Sequence, residues 1–246
     1  MRSCVIIPAR YSSSRFPGKP LVSLLGKPMV LWVAELSAKA VGKQNVFVAT
    51  EDERIAKVVR EAGFSALLTS PQALTGTDRL AEAAKMVDYD TYINVQGDEP
   101  LVEPGDILQC ISIKSENPDV IVNGFCWIEH NEDPASVNIP KVIANETGFM
   151  VYMSRSPLPG FKDTSNAPLK YMKQVCIYGF NRDELQAFAS YERKSSLERH
   201  EDIEILRFLE LNRRILMYEC SPGSLAVDVP EDVAKVEEVL KNRATS

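Results

Sequence analysis

Over its first half the chain alternates short apolar runs with stretches in which apolar residues recur at helical spacing. Val5 to Ile7 reads as a buried strand that breaks at Pro8. Gly26-Lys27-Pro28 introduces a helical segment from Met29 to Ala40, with Glu35 and Lys39 on its polar side. Asn45 to Thr50 is a second apolar strand. Asp52 caps a helix over Glu53 to Ala62, where Ile55, Val58 and Val59 keep helical spacing and Gly63 stops it. Phe64 to Leu68 and Thr91 to Val95 are further strands, with a helix start at Thr75 to Arg79 between them. Pro104 to Ser115 reads as a helix and Val120 to Phe125 as a strand. Strand and helix in alternation predict a parallel sheet joined by right-handed crossovers.

Past residue 137 the pattern changes. Lys141 to Ile143 and Met150 to Met153 are strand-like and separated by a turn at Asn145 to Gly148, which is the grammar of a hairpin. A polar loop runs to Pro168, and Val175 to Phe180 is the next strand. The segment from about 137 to 180 is therefore expected to form a small β-rich lobe inserted in a single domain over 1–246. Asn181 to Ser190 reads as a helix, and Leu197 to Leu211 as one strongly amphipathic helix. Ile215 to Glu219 is a last strand, and Pro230 to Leu240 a last helix followed by a fraying end.

Composition narrows the partners. The 246 residues are 45% hydrophobic, enough for a full core. With 28 basic and 34 acidic residues the net charge is −6, against the basic face that nucleic acid demands. The five cysteines, Cys4, Cys110, Cys126, Cys176 and Cys220, are scattered without a C-x-x-C, so neither a zinc site nor a disulfide framework is expected. No apolar stretch approaches membrane-spanning length, and the N-terminus enters a strand without a signal peptide. The expectation is a cytoplasmic enzyme with neither membrane nor nucleic acid as partner.

Against the acidic total, the loop after the first strand is an island of positive charge. Arg10, Arg15 and Lys19 place three cations within ten residues, among Ser12, Ser13 and Ser14, and Gly18 lets the backbone approach a ligand. Such a loop at a strand's carboxyl end suits a triphosphate, or is a solvated basic turn. Thr75, Gly76 and Thr77 form a hydroxyl-rich helix start with Arg79 in its first turn, which suits anion contacts or an ordinary cap. Asp98 follows a buried strand in Gln96-Gly97-Asp98-Glu99-Pro100. Its hard oxygens suit Mg2+, or a turn's Asx contact. Asp228 stands two residues before Pro230, where it suits the cap of the final helix. His130 sits in a polar loop and reads as solvated.

The segment Pro8-Ala9-Arg10-Tyr11-Ser12-Ser13-Ser14-Arg15-Phe16-Pro17-Gly18-Lys19-Pro20 resembles the signature P-A-R-x-x-S-x-R-x-P-G-K-P of the 3-deoxy-manno-octulosonate (Kdo) cytidylyltransferases, also called CMP-Kdo synthetases. The likeness continues through the Thr75–Arg79 turn, through Asn94-Val95-Gln96-Gly97-Asp98-Glu99-Pro100 and through Val227-Asp228-Val229-Pro230-Glu231-Asp232. It implies a three-layer α/β nucleotidyltransferase, Rossmann-like with a mostly parallel sheet, working as a homodimer in bacterial surface polysaccharide synthesis. It implies transfer of CMP from CTP to the anomeric hydroxyl of a 2-keto-3-deoxy sugar acid, with release of pyrophosphate. Pro8, Ala9, Arg10, Ser13, Arg15, Lys19, Thr75, Gly76, Thr77, Arg79 and Gln96 are then the nucleotide contacts. Lys19, Arg10 and Arg15 hold the triphosphate, and Asp98 and Asp228 bind Mg2+. Gln96, Arg155, Gln174, Tyr178, Glu204 and Ile205 face the acidic sugar, with Arg155 matched to its carboxylate.

The likeness breaks at the sugar end. The family's His before G-I-Y is Gln174 here, its Gly is Cys176, and the Gln of its E-Q-L-R is Ile205. These departures lead us to expect an acceptor with an altered hydroxyl pattern, such as an amino-substituted Kdo, with Kdo itself next and a nonulosonic acid as a further alternative. A nucleotidyltransferase for another base and a non-catalytic nucleotide sensor are the other readings. The sensor has less support, because every charged group the chemistry requires is present.

Overall fold

The computed structural model describes residues 1–12, 16–130, 132–223 and 225–244. In chain order the strands and α-helices are β1 (Ser3–Pro8), β2 (Ser23–Leu24), β3 (Lys27–Pro28), α1 (Met29–Val41), β4 (Val46–Thr50), α2 (Glu53–Glu61), β5 (Ser65–Leu68) and α3 (Gly76–Ala84). There follow β6 (Thr91–Val95), α4 (Pro104–Glu116), β7 (Ile121–Trp127), β8 (Lys141–Ala144), β9 (Met150–Ser154) and β10 (Met172–Phe180). The chain ends with α5 (Arg182–Ala189), α6 (Ser196–Glu201), α7 (Leu206–Glu210), β11 (Ile215–Glu219) and α8 (Asp232–Ala244).

Strand periodicity builds the three layers. In β1, Cys4 and Ile6 face one core while Val5 and Ile7 face the other. Leu80 of α3, Leu185 and Phe188 of α5 and Phe208 of α7 pack on the first side. Val30 and Val33 of α1, Ile55 and Val59 of α2 and Ile107 of α4 pack on the second. A third cluster of Leu24, Met29, Leu101, Val227, Val236 and Leu240 fastens α8 beside the start of α1. That cluster brings the segment containing Asp228 next to the basic loop.

The nine-stranded sheet runs β11-β7-β10-β6-β1-β4-β5, with β8 pairing β10 and β9. Along that path β1, β4, β5, β6, β7 and β11 share one direction, and β10 is antiparallel to both of its neighbours β6 and β7. The β8–β9 hairpin delivers the chain to the sheet in reverse, and this sets the direction of β10. The region expected as an inserted lobe is thus divided. The hairpin pairs with the first residues of β10 and packs on the first core, whereas Ile177 to Phe180 pair with β6 in the sheet's middle.

Two helices differ from the sequence expectation. Leu197 to Leu211 is not one helix, because α6 ends at Asp202, a residue in the left-handed region (φ 51°, ψ 46°). Asp tolerates that conformation. The carbonyls freed at this end are taken by Arg155, which donates to those of Glu201 and Asp202. Helical periodicity carries no trace of this tertiary contact. At the C-terminus, α8 runs on to Ala244 rather than fraying after Leu240, and Arg243 donates to the carbonyl of Leu101 at 3.0 Å. Among the described residues no helix is long and apolar enough to cross a membrane.

Far from the sheet's carboxyl edge, Lys114 of α4 and Glu184 of α5 form a buried ion pair at 2.8 Å. The ammonium also donates to the carbonyls of Pro118 and Val120. Burial pulls the lysine down and pushes the glutamate up. Lys114→Met strands the carboxylate, and we expect it to lower unfolding free energy at neutral pH by about 3–5 kcal/mol. The loss should shrink as pH falls, because a carboxyl whose folded-state pKa is raised is penalised only where it must ionise. Urea denaturation at neutral and mildly acidic pH measures both.

Candidate functional site

The carboxyl ends of β1 and β6 open into a cavity of about 850 Å3, the size of a ligand site. Two glycines let its floor form. Gly97 needs to be glycine because a Cβ there would lie 2.9 Å from the carbonyl oxygen of Pro8, where β1 and β6 end side by side. Gly18, at φ +73°, turns the basic loop back so that its N–H bonds the carbonyl of Tyr11 at 2.9 Å. The loop is pinned at its start, where the Tyr11 N–H donates to Glu51 and the Arg54 guanidinium lies 3.4 Å over the Tyr11 ring.

Pro8, Ala9, Arg10 and Lys19 line this end of the cavity. Ser13 and Arg15 lie outside the described residues. Lys19 reaches both predicted metal ligands, with Nζ 2.6 Å from Asp98 Oδ2 and 3.8 Å from Asp228 Oδ1. The carboxylates are held together by a backbone bond from the Val227 N–H to the Asp98 carbonyl at 3.0 Å. Before α8, the N–H groups of Asp228 and Val229 both donate to the Asp232 carboxylate. The two aspartates, 130 residues apart in sequence (228 − 98), therefore meet at one ammonium.

The second motif does both jobs open to it. Thr75 caps α3 by accepting from the Asp78 N–H at 3.1 Å, and Thr75 and Gly76 also line the cavity. Thr77 does not line it. That residue is buried and gives its N–H to Glu204 at 3.0 Å. Arg79 lines the floor, but its guanidinium is paired with Glu51 at 3.0 Å and donates to Thr69 and Ser70, so much of its charge is already answered. Burial lowers its pKa.

At the other end the expected sugar contacts divide. Gln96 and Glu204 both line the cavity and bond each other, Nε2 to Oε1 at 2.8 Å. Burial raises the Glu204 carboxyl, and the N–H of Thr77 acts against that rise. Gln174 and Tyr178 also reach the wall, where the Gln174 amide donates to the Tyr178 hydroxyl at 3.1 Å. Arg155 borders the cavity, yet three of its N–H groups are committed to the carbonyls of Glu201, Val137 and Asp202 at 2.6, 2.6 and 2.9 Å. It braces the hairpin against the end of α6, leaving two of its five N–H groups for a carboxylate. Ile205 is a correction. At 1% exposed it packs in the core with Phe208 and does not line the cavity, because Glu204 points out of the turn where Ile205 points in.

Sequence reasoning missed Glu51, which anchors Tyr11 and Arg79. It also missed Asn123, a buried amide beside Gln174 whose signal was a polar residue inside the apolar run Ile121-Val122-Asn123-Gly124-Phe125. Both histidines, His130 and His200, are exposed and away from the cavity. The cysteines are free thiols.

Comparison with known proteins gives a consistent picture. The cytidylyltransferase family matches residues 4–216. A 3-deoxy-manno-octulosonate cytidylyltransferase of Geobacter metallireducens is 43% identical, covering 98% of both chains. An 8-amino-3,8-dideoxy-manno-octulosonate cytidylyltransferase of Shewanella baltica is 39% identical, covering 98% of this chain and 99% of that one. The solved structure of a CMP:2-keto-3-deoxy-manno-octonic acid synthetase complexed with CTP superposes with a TM-score of 0.90 at 35% identity, covering 99% of this chain and 100% of that one. An inositol-1-phosphate CTP transferase from T. maritima, at 16% identity and a TM-score of 0.68, shares the fold.

Cys176 stands half-buried on the cavity wall, and burial together with the Glu99 and Asp98 carboxylates pushes its thiol well above the usual range. Only the thiolate alkylates, so at neutral pH iodoacetamide should label Cys176 at least about tenfold more slowly than free cysteine. Peptide mass spectrometry over a time course measures this. Labelling as fast as free cysteine would show that neither burial nor the carboxylates hold the thiol protonated.

Proposed function

From the premise that the chain belongs to the Kdo cytidylyltransferase (CMP-Kdo synthetase) family, and is an enzyme that transfers CMP from CTP to a Kdo-like sugar acid, we propose how its residues share the reaction. The observation that carries the reading is the meeting of Lys19, Asp98 and Asp228 on the cavity wall. Arg10 and Lys19, with Arg15, bind the triphosphate, and Lys19 exchanges its carboxylate partners for phosphate oxygens. The acceptor's anomeric hydroxyl attacks the α-phosphate in line and pyrophosphate leaves. The protein's contribution is positioning and charge neutralisation. With neither histidine at the cavity, no imidazole serves as base.

Mg2+ fits the donor set, because two hard carboxylates converge where one ammonium already sits. Among the described residues no cluster of three or more His, Cys, Asp or Glu could hold a metal, so Asp98 and Asp228 would share the ion with water and phosphate oxygens. When bound, the ion neutralises phosphate charge and lowers the pKa of the attacking hydroxyl.

The acceptor is placed at the end walled by Gln96, Gln174 and Tyr178, with Kdo itself as the substrate. Ile205 is buried in the core, so one of the departures that favoured an altered sugar does not touch the pocket. Gln174 keeps a side chain that can donate and accept in the position of the family's His.

The chain is also proposed to act as a homodimer through the β8–β9 region. In the hairpin and the segments next to it in the chain, Trp127, Val137, Val151, Phe161 and Leu169 leave apolar side chains exposed.

Two expectations follow. Asp98→Asn and Asp228→Asn should each lower turnover, measured as pyrophosphate release with CTP and Kdo, by about 100-fold or more. Near-wild-type turnover in Asp228→Asn would overturn that residue's metal role. Faster turnover of 8-amino-3,8-dideoxy-manno-octulosonate than of Kdo would instead assign the amino sugar. Sedimentation should show a dimer that Val151→Asp with Phe161→Asp converts to monomer.

A further inference from the structure

Asn123 lies in the middle of β7 with its side chain fully buried. A buried amide is costly unless its donors and acceptor are used. Here they are. Nδ2 donates to the carbonyls of Val175 and Ile177, both at 3.0 Å, and Oδ1 accepts from Gln174 Nε2 at 3.2 Å.

Those two carbonyls flank an irregularity in β10. Val175 pairs with Gly124 and Tyr178 pairs with Asn123, so Cys176 and Ile177 have no residues of β7 opposite them. An insertion of this kind interrupts the ladder and leaves backbone groups to be satisfied by other means. On the β7 side Asn123 supplies the means. On the other side the Gln96 N–H donates to the Cys176 carbonyl at 3.2 Å. The bulge is therefore clamped from both edges. Period-two alternation then brings Gln174, Cys176 and Tyr178 to the cavity wall, where the Gln174 amide is shared between Asn123 and the Tyr178 hydroxyl.

We propose that Asn123 is a positioning residue for the acceptor sugar, fixing the bulge and the Gln174 amide so that Gln174 and Tyr178 meet the sugar hydroxyls in one orientation. The inference rests on the reading that places the sugar acid at this end of the cavity. Asn123 touches no substrate. Its substitution acts only through the wall it holds, and the CTP end, built from Arg10, Lys19 and the aspartates, stands on other elements.

The test is Asn123→Leu, which keeps the branching and removes every hydrogen bond. KM for Kdo is measured at saturating CTP, and the Kd of CTP by calorimetry. We expect the acceptor KM to rise about tenfold or more, while CTP affinity stays within about twofold of wild type. An unchanged acceptor KM, or acceptor and CTP binding weakened together, overturns the proposal. If Asn123→Leu does not fold, Asn123→Ser, which retains one donor, is judged by the same criteria. Gln174→Ala separates the two levels of the argument. If it raises the acceptor KM and the Asn123 variants do not, Asn123 has no positioning role. If it leaves the acceptor KM unchanged, the sugar does not bind at this wall, and both readings fall.

Discussion

The site depends on the buried guanidinium of Arg207. Fully excluded from solvent, it bonds Asp78 at 2.8 and 3.1 Å and Glu198 through two nitrogens at 2.8 Å each, and it lies 3.7 Å over the Phe188 ring. A buried charge survives only when it is paired in this way. The pairing joins three elements that the sequence keeps apart, the first turn of α3, the start of α6 and the start of α7. The turn between α6 and α7 is thereby held against the α3 N-terminus. Glu204, on that turn, reaches Thr77 and Gln96. Removing the guanidinium would leave two carboxylates facing each other and the turn without its anchor.

From this anchor the cavity divides into two ends with separate supports. The end proposed for the triphosphate is built on β1, β6 and the segment before α8, the last fastened by the cluster of Leu24, Met29 and Val227 and by the backbone bond between Val227 and Asp98. The end proposed for the sugar is built on β10, whose direction is reversed relative to β6 and β7 and whose bulge is clamped from both edges. Gln96 joins the two, with its N–H on the bulge and its amide on Glu204. A carboxylate-rich wall also explains why a cation belongs there. Lys19 bridges Asp98 and Asp228, and that same ammonium is suited to phosphate.

Much of this was legible in the sequence, and for a definite reason. Alternation of apolar residues reports which face of a strand is buried, so β1, β4, β6, β10 and the helices around them could be read from local pattern alone. Cap residues such as Asp52 and Thr75 act within one turn of their own position, and they sit where the sequence placed them. The charged motifs could be read because loops at strand ends have few reasons to concentrate Arg, Lys and Asp other than a ligand. The close likeness to a known family added the identity of that ligand, which no pattern of periodicity could supply.

What only the tertiary structure decided were the contacts between residues far apart in the chain. The helical spacing of Leu197 to Leu211 is real, yet Arg155 and the pull of Glu204 toward α3 break it at Asp202. Ile205 and Glu204 are neighbours in sequence, but one packs in the core and the other lines the cavity, because a turn rather than a helix carries them. Arg155 has the chemistry of a carboxylate binder, yet three of its five donors go to backbone carbonyls and brace the hairpin. Asn123 showed only as a polar residue in an apolar run until the bulge opposite it gave the amide something to hold. Periodicity and motif record what each residue can do. Which partner it finds is set by the free energy of satisfying buried polar groups across the whole fold, and that sum is not local.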